Sequence, residues 1–418
     1  PLVETALNRY VEEIEVNIRY DDNSWLLGKS ELGARADIDG TLRTAMAYGR
    51  DGTTQENNDA RELAKTQGVM IMPEIGVDRT DALSAAAIAT QEVPTTAQDP
   101  YCTFDEEKTG NDRLVFHAST DGVSPNYEKM ADDIMAALKT AQFPVTIELE
   151  VEMTPATITE DQLRQNITLV SSFTTQYTQA NSSNRTQNLA LGMQKLNGAV
   201  VEPGAAFSFN EYIGPRTPDL GWLKAPVIVG GVSFEDDYGG GICQVSTTLY
   251  NAVARADMQI DQRKHHSIPS TYVDHGLDAT VSYGTTDFVF TNTSDYPLYI
   301  FAHIDKDAKK VTVEVYGRAL ENGEKIELVS KEIETYEPAE TIVQLDPTLA
   351  PDETVETITA RKGYKVEVYK NTYDKDGNLL NSEKLYTDTY KAVQGVTSVG
   401  INVYNSMFPS TAGPLTAG

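Results

Sequence analysis

The chain has 418 residues, which at common domain sizes means about three domains. Apolar residues make up 40% and charged residues 23%, a globular composition that excludes disorder along the whole chain. Lys and Arg total 34 against 62 Asp and Glu, a net charge of −28. That balance argues against nucleic acid, which needs a basic surface, and against adhesion to anionic lipid.

The opening residues PLVETALNRYVEE lack the features of a signal peptide, and no run of 18 or more apolar residues follows. Only Cys102 and Cys243 carry thiols, so the chain is neither a small disulfide scaffold nor a Cys-rich zinc protein. A disulfide between the two would have to join different domains. The 21 Tyr against 11 Phe lean toward a β-rich extracellular surface.

In chain order, EIEVNIRY (13–20) alternates as a strand. DIDGTLRTAMAYGRDG predicts a short amphipathic helix, with Leu42, Ala45 and Met46 apolar and a glycine stop. RLVFHAS (113–119) alternates again, and PNYEKMADDIMAALKTA (125–141) predicts a helix with Met130, Ile134 and Leu138 on one face. VTIELEVEM (145–153) predicts a strand. The grammar suggests two small α/β modules, 1–75 and 76–165. Residues 166–320 are dense in glycine and aromatics, with an amphipathic helix after GGGICQ and strands predicted at STYV, ATVSYG, DFVFTNT, LYIFAHI and KVTVEVYG. Residues 321–400 read as strand and turn throughout, with KIELVSKEI, ETIVQL, YKVEVYKNTY and KLYTDTYKAV as strands. Residues 401–418 are expected to fray. The fold class is α+β and multidomain: two α/β modules, a mixed α+β domain with a Cys at a helix N-terminus, and a C-terminal all-β module.

GGGICQ (239–244) is the strongest chemical signal. The glycines permit backbone conformations closed to other residues. A helix starting at Cys243 turns its positive end toward the thiol, lowers the thiol pKa and offers N–H groups to an oxyanion. A nucleophilic cysteine also needs a proton partner, and His265, His266 and His275 follow downstream. His266 is the expected base, with Asp278 or Asp287 orienting it, while His265 and His275 read as solvated. Packing of a buried Cys243 is the rival reading. Metal binding by the histidines with Asp278 has no HExxH or paired CxxC behind it.

NRTQNLALGMQKLNGAVVEPGAAFSFNEYIGPRT, GWLKAPVIVGG, GGGICQVSTTLYNA and HSIPSTYVDHGLDATV occur in the order found in VanW domains, which residues 170–305 resemble closely. The preceding segment is similar to the tandem peptidoglycan-binding-type domains found before VanW domains, and residues 322–400 resemble a G-five domain. The resemblance implies an extracytoplasmic protein of a Gram-positive cell wall, anchored through an upstream membrane segment, with no cofactor and no metal. It implies a peptidoglycan L,D-transpeptidase that joins stem peptides by 3-3 cross-links through a Cys acyl-enzyme, although the usual SHGC-type signature is absent. The family's cysteine and histidine fall on Cys243 and His266; Asp278 lies in the GLDATV motif and Arg216 in GPRT. Arg216 is the expected partner of a stem carboxylate, with Gly240, Gly241, Gln244 and Tyr272 beside it at the substrate site. The partners implied are stem peptides and glycan. A cysteine peptidase of stem peptides, or a non-catalytic wall scaffold linked to glycopeptide resistance, uses the same residues differently.

Overall fold

The computed structural model describes residues 2–140, 142–178, 182–229, 231 and 233–409. The chain divides into two compact units, one of residues 1–101 and 118–160, the other of 102–117 and 161–418.

In the first unit, Glu15–Tyr20 is the central strand of a three-stranded sheet. It pairs antiparallel with Asn23–Gly28 and parallel with Val145–Glu148. The helices Arg79–Ala89 and Tyr127–Thr140 pack against each other. Val16, Ile18, Leu32, Ala82, Ala86, Met130, Ile134 and Leu138 all belong to one core. The two modules expected at 1–75 and 76–165 therefore merge over 1–101 and 118–160 into a single unit, while 102–117 and 161–165 belong to the other. The reason is the pairing of residues 16–19 with 145–148, a long-range register that local periodicity does not reveal. VTIELEVEM is likewise two strands, Val145–Glu148 and Val151–Thr154, in different sheets.

The second unit is built on a four-stranded antiparallel sheet in the order Ile167–Gln176, Lys310–Arg318, Leu298–Asp305, Ala199–Val201. The helix Ile242–Arg255 packs on the first two of these strands and against the helix Ser183–Leu196. Val245, Leu249, Ala252 and Val253 fill this core. Polar residues of the same helix are also buried, so they must bond internally. Ser246 and Thr247 hydroxyls donate to the Ala279 carbonyl, and Asn251 Nδ2 donates to the Leu277 carbonyl.

Those bonds explain a departure from the predicted strands. STYV and ATVSYG are not strands; residues 263–281 run as an irregular segment. Their backbone groups are satisfied by the helix's polar face, including Ala279 N–H donating to Thr247 Oγ1 at 3.0 Å, in place of a sheet neighbour.

A β module closes the unit. Lys325–Tyr336, Gly363–Tyr373 and Leu379–Tyr390 form an antiparallel sheet. Val396–Val399 pairs parallel with Ile342–Leu345 and antiparallel with Thr354–Ile358. Residues 401–407, expected to fray, form the helix Ile401–Met407; 410–418 lie outside the described residues. Leu328 and Val368 of the module join the same core as the Cys243 helix. Among the described residues no helix is long and apolar enough to cross a membrane.

Candidate active site

Cys243 is the second residue of the helix Ile242–Arg255. Each preceding glycine is required for a distinct reason. A Cβ on Gly240 would sit 2.3 Å from the Ala225 carbonyl oxygen, so a strand backbone occupies the space a side chain would need. Gly239 and Gly241 hold φ of +81° and +111°, which only glycine adopts without strain. A Cβ on Gly239 would also strike the Arg216 stem at 2.7 Å.

His266 and Asp278 lie on the irregular segment that the helix's polar face holds in place. His266 Nδ1 lies 2.5 Å from Asp278 Oδ2, and the His266 backbone N–H donates to the same oxygen at 2.6 Å. Both residues are buried. The His266 ring and the Cys243 thiol act on each other electrostatically, each shifting the other's titration. The sulfur also lies 3.5 Å from Thr280 Oγ1 and 3.4 Å from the Val281 carbonyl, to which the neutral thiol donates. The structure thus brings His266 and Asp278 into direct contact and places Cys243 within their electrostatic influence.

The electrostatics of these three residues follow from their surroundings. Burial pushes the Cys243 thiol up, but the adjoining imidazole outweighs it and brings the pKa down to about 7. Burial pushes His266 down, but the Asp278 carboxylate and the Cys243 sulfur outweigh it and raise the pKa to about 10. Asp278 falls to about 2, because bonds from His266 and Tyr390 outweigh its burial. The resting state at neutral pH therefore tends to a thiolate–imidazolium pair. Cys102 is the contrasting case: it is buried, and burial raises it to about 12. Both cysteines are free, so no disulfide joins them.

Asp287, the alternative orienter, is occupied elsewhere. It accepts from Ser208 Oγ at 2.5 Å, Asn210 N at 2.9 Å and Phe288 N at 2.8 Å, and so fixes a turn. Arg216 stands out because all three guanidinium nitrogens are buried without a hydrogen-bond partner. Burial lowers its pKa, opposed by the charges of Cys243 and Asp287. Burial and the nearby Cys243 charge raise the Tyr272 hydroxyl pKa. Gln244 takes a framework role in place of the expected substrate contact. Its Oε1 accepts from Arg185 Nη2 at 3.2 Å, and its Nε2 donates to Thr175 Oγ1 at 3.1 Å and the Gln176 carbonyl at 3.3 Å.

His265 and His275, expected in solvent, are half-buried against the β module. Their rings lie 4.8 Å from Tyr390 and 4.2 Å from Tyr364. Arg263, Tyr390 and Asp388 also join the site's surroundings, and none carried a sequence signal. Tyr390 is 112 residues from Asp278, to whose Oδ1 it donates at 2.5 Å. A cavity of about 590 Å³ lined by Tyr250, Arg263, Tyr386 and Asp388 lies along this junction and does not include Cys243.

These features define an α/β domain with a cysteine at a helix start and a buried His–Asp pair on the adjoining segment, closed by a β module. Comparison with known proteins gives the domains their names. Residues 184–316 match the VanW-like protein family and residues 327–402 the G5 domain, so the chain carries a VanW-like domain and a G5 domain. It is 42% identical over 147 residues to the uncharacterized protein YoaR of Bacillus subtilis (strain 168), covering 35% of this chain and 46% of that one. It is 29% identical over 129 residues to the vancomycin B-type resistance protein VanW of Enterococcus faecalis (strain ATCC 700802 / V583), covering 30% and 46%. The chain therefore spans under half the length of these relatives. Among solved structures, an IgA1 protease G5 domain is 17% identical, covers 19% of this chain and 94% of its own, and has a TM-score of 0.14.

Proposed function

We propose that the VanW-like domain is a cysteine acyltransferase acting on peptidoglycan stem peptides, an L,D-transpeptidase that forms 3-3 cross-links. The observation that supports the reading is the hydrogen-bonded His266–Asp278 pair, whose imidazole acts on Cys243 and lowers the thiol pKa. The Cys243 thiolate attacks the carbonyl at the L-centre of a donor stem. The oxyanion is held by first-turn N–H groups. Of these, Ile242 and Gln244 already bond to Gly239 and Gly241 carbonyls, which leaves the Cys243 amide as the donor. The tetrahedral intermediate collapses, the C–N bond breaks, and D-Ala leaves with the proton from the His266 imidazolium. The amine of a neighbouring stem then attacks the thioester, and neutral His266 takes its proton and restores the ion pair. Asp278 keeps the imidazole oriented and stabilises its charged form.

Arg216 supports a carboxylate-bearing donor. An unpaired buried guanidinium near the nucleophile is a costly feature in a free protein, and the terminal carboxylate of the donor would pair with it bidentately. The G5 domain supports a location at the cell wall, outside the membrane, with peptidoglycan as the partner. The test is product mass from purified muropeptides. Wild-type protein gives a cross-linked dimer, and Cys243→Ala protein, still folded, gives none. Loss of D-Ala without joining would make the enzyme a stem peptidase; dimer formation by Cys243→Ala would remove Cys243 as the nucleophile; and no product from wild-type protein would leave a wall scaffold.

A further inference from the structure

We infer that the C-terminal β module is a working part of the Cys243 site, and that Tyr390 is its positioning residue, fixing the carboxylate that orients His266. The inference rests on the relay read above and adds a residue to it.

The Asp278 carboxylate has two oxygens facing two different partners. Oδ2 takes both contacts from His266. Oδ1 takes the Tyr390 hydroxyl at 2.5 Å and, more distantly, Arg263 Nη2 at 3.5 Å. The direction of the tyrosine bond is fixed by its other partner. The Gly276 N–H donates to the Tyr390 oxygen at 2.7 Å, so the phenolic hydrogen is left to point at the carboxylate. Asp278 is 1% exposed and Tyr390 0%, so water does not substitute for this bond. Without it, one oxygen of a buried carboxylate would keep only the long Arg263 contact, at a site where unmet polar groups are costly.

The rest of the module holds the same loop in place. Gly276 has φ +88°, and a Cβ there would meet Val368 Cγ2 at 2.7 Å and Val366 Cγ2 at 2.9 Å, so the loop backbone lies directly on the sheet. Ser330 Oγ donates to the His275 carbonyl at 2.5 Å, and the Tyr386 hydroxyl to the Gly276 carbonyl at 3.0 Å. Arg263 ties the two sides together. It donates to the Asp278 and Gly276 carbonyls at 2.7 Å each and to Asp388 Oδ2 at 2.6 Å. All three strands of the sheet thus contribute a residue to a stretch of four, 275–278, and the last of those four is the orienting carboxylate. A module serving only to bind a wall polymer would not need to reach this loop.

The test uses the full chain and a signal independent of turnover. The proton between His266 Nδ1 and Asp278 Oδ2 should give a far-downfield proton NMR resonance in wild-type protein, absent from His266→Ala. Tyr390→Phe keeps the ring and removes only the hydroxyl; it should broaden or abolish the resonance and lower kcat for stem-peptide transfer about tenfold, the scale of one hydrogen bond to a charged group, with KM within about twofold. Tyr386→Phe removes a module contact that does not touch the carboxylate and should leave the resonance in place. If Tyr390→Phe does not fold, 3-fluorotyrosine at position 390 decides, because a more acidic hydroxyl bonded to Asp278 must move the resonance. An unchanged resonance in the position-390 variant overturns the inference. A resonance missing from wild-type protein overturns the relay itself, so the two failures are distinct.

Discussion

Replacing His266 by alanine removes the largest influence that brings the Cys243 thiol down to about 7 and leaves burial, the largest influence of all, opposed only by the smaller Val281 and Thr280 contacts. The thiol should then titrate above its ordinary 9.0. At pH 7 a pKa of about 7 gives roughly half thiolate, and a pKa of 9 gives roughly 1%, about a fifty-fold loss. Part of this is offset, because a more basic thiolate is intrinsically more nucleophilic; with a Brønsted coefficient of about 0.4–0.5, two pKa units return a factor of roughly 6–10. The net expectation is a fall of at least about fivefold in alkylation rate at pH 7, growing as burial raises the pKa further. The assay is iodoacetamide alkylation against pH, with each thiol followed by peptide mass. Wild-type Cys243 should show a midpoint near 7, and the His266→Ala variant one above 9. Cys102, held at about 12 by burial, is the internal reference that should not react. Equal midpoints in the two proteins would refute the thiolate–imidazolium pair.

Two further substitutions separate substrate binding from folding. Arg216→Met removes an unpaired buried cation, so it should raise the unfolding midpoint by a few degrees while raising KM about tenfold or more for a donor ending in a free carboxylate. A donor amidated at that end should be indifferent to the change; equal sensitivity of both donors would show that Arg216 does not bind the carboxylate. Gly240→Ala places a methyl 2.3 Å from the Ala225 oxygen and should destabilise the protein by about 2 kcal/mol or more through backbone displacement, whereas Gly284→Ala, with nothing within 4 Å, should cost only the strain of its φ of +78°, about 1 kcal/mol. Urea unfolding of the two variants checks the order, and equal stabilities would contradict it.

The helix after GGGICQ was legible because its apolar spacing and the glycines that precede it are local, and the β module because its strands alternate and its turns are marked. The irregular run 263–281 was not. Its side chains alternate as a strand would, yet its backbone partners are Ser246, Thr247 and Asn251 on a helix rather than another strand. Sequence spacing left Asp278 and Asp287 equal as orienters, since each follows His266 by a short interval. The choice rests on which aspartate has a free oxygen, and Ser208 and Asn210 occupy Asp287 from some 80 residues upstream. The pairing of residues 16–19 with 145–148 and the reach of Tyr390 to Asp278 are both long-range contacts with no signature in either partner's neighbourhood.

The most direct measurement is intact-protein mass spectrometry after incubation with a stem-peptide donor ending in D-Ala and no acceptor amine, at a pH between the midpoints near 7 and 10. A thioester on Cys243 is expected, a mass gain equal to the donor less D-Ala, absent from Cys243→Ala and discharged into a cross-linked dimer when an acceptor stem is added. A protein that binds the donor but gains no covalent mass across that pH range would contradict acyl transfer through Cys243.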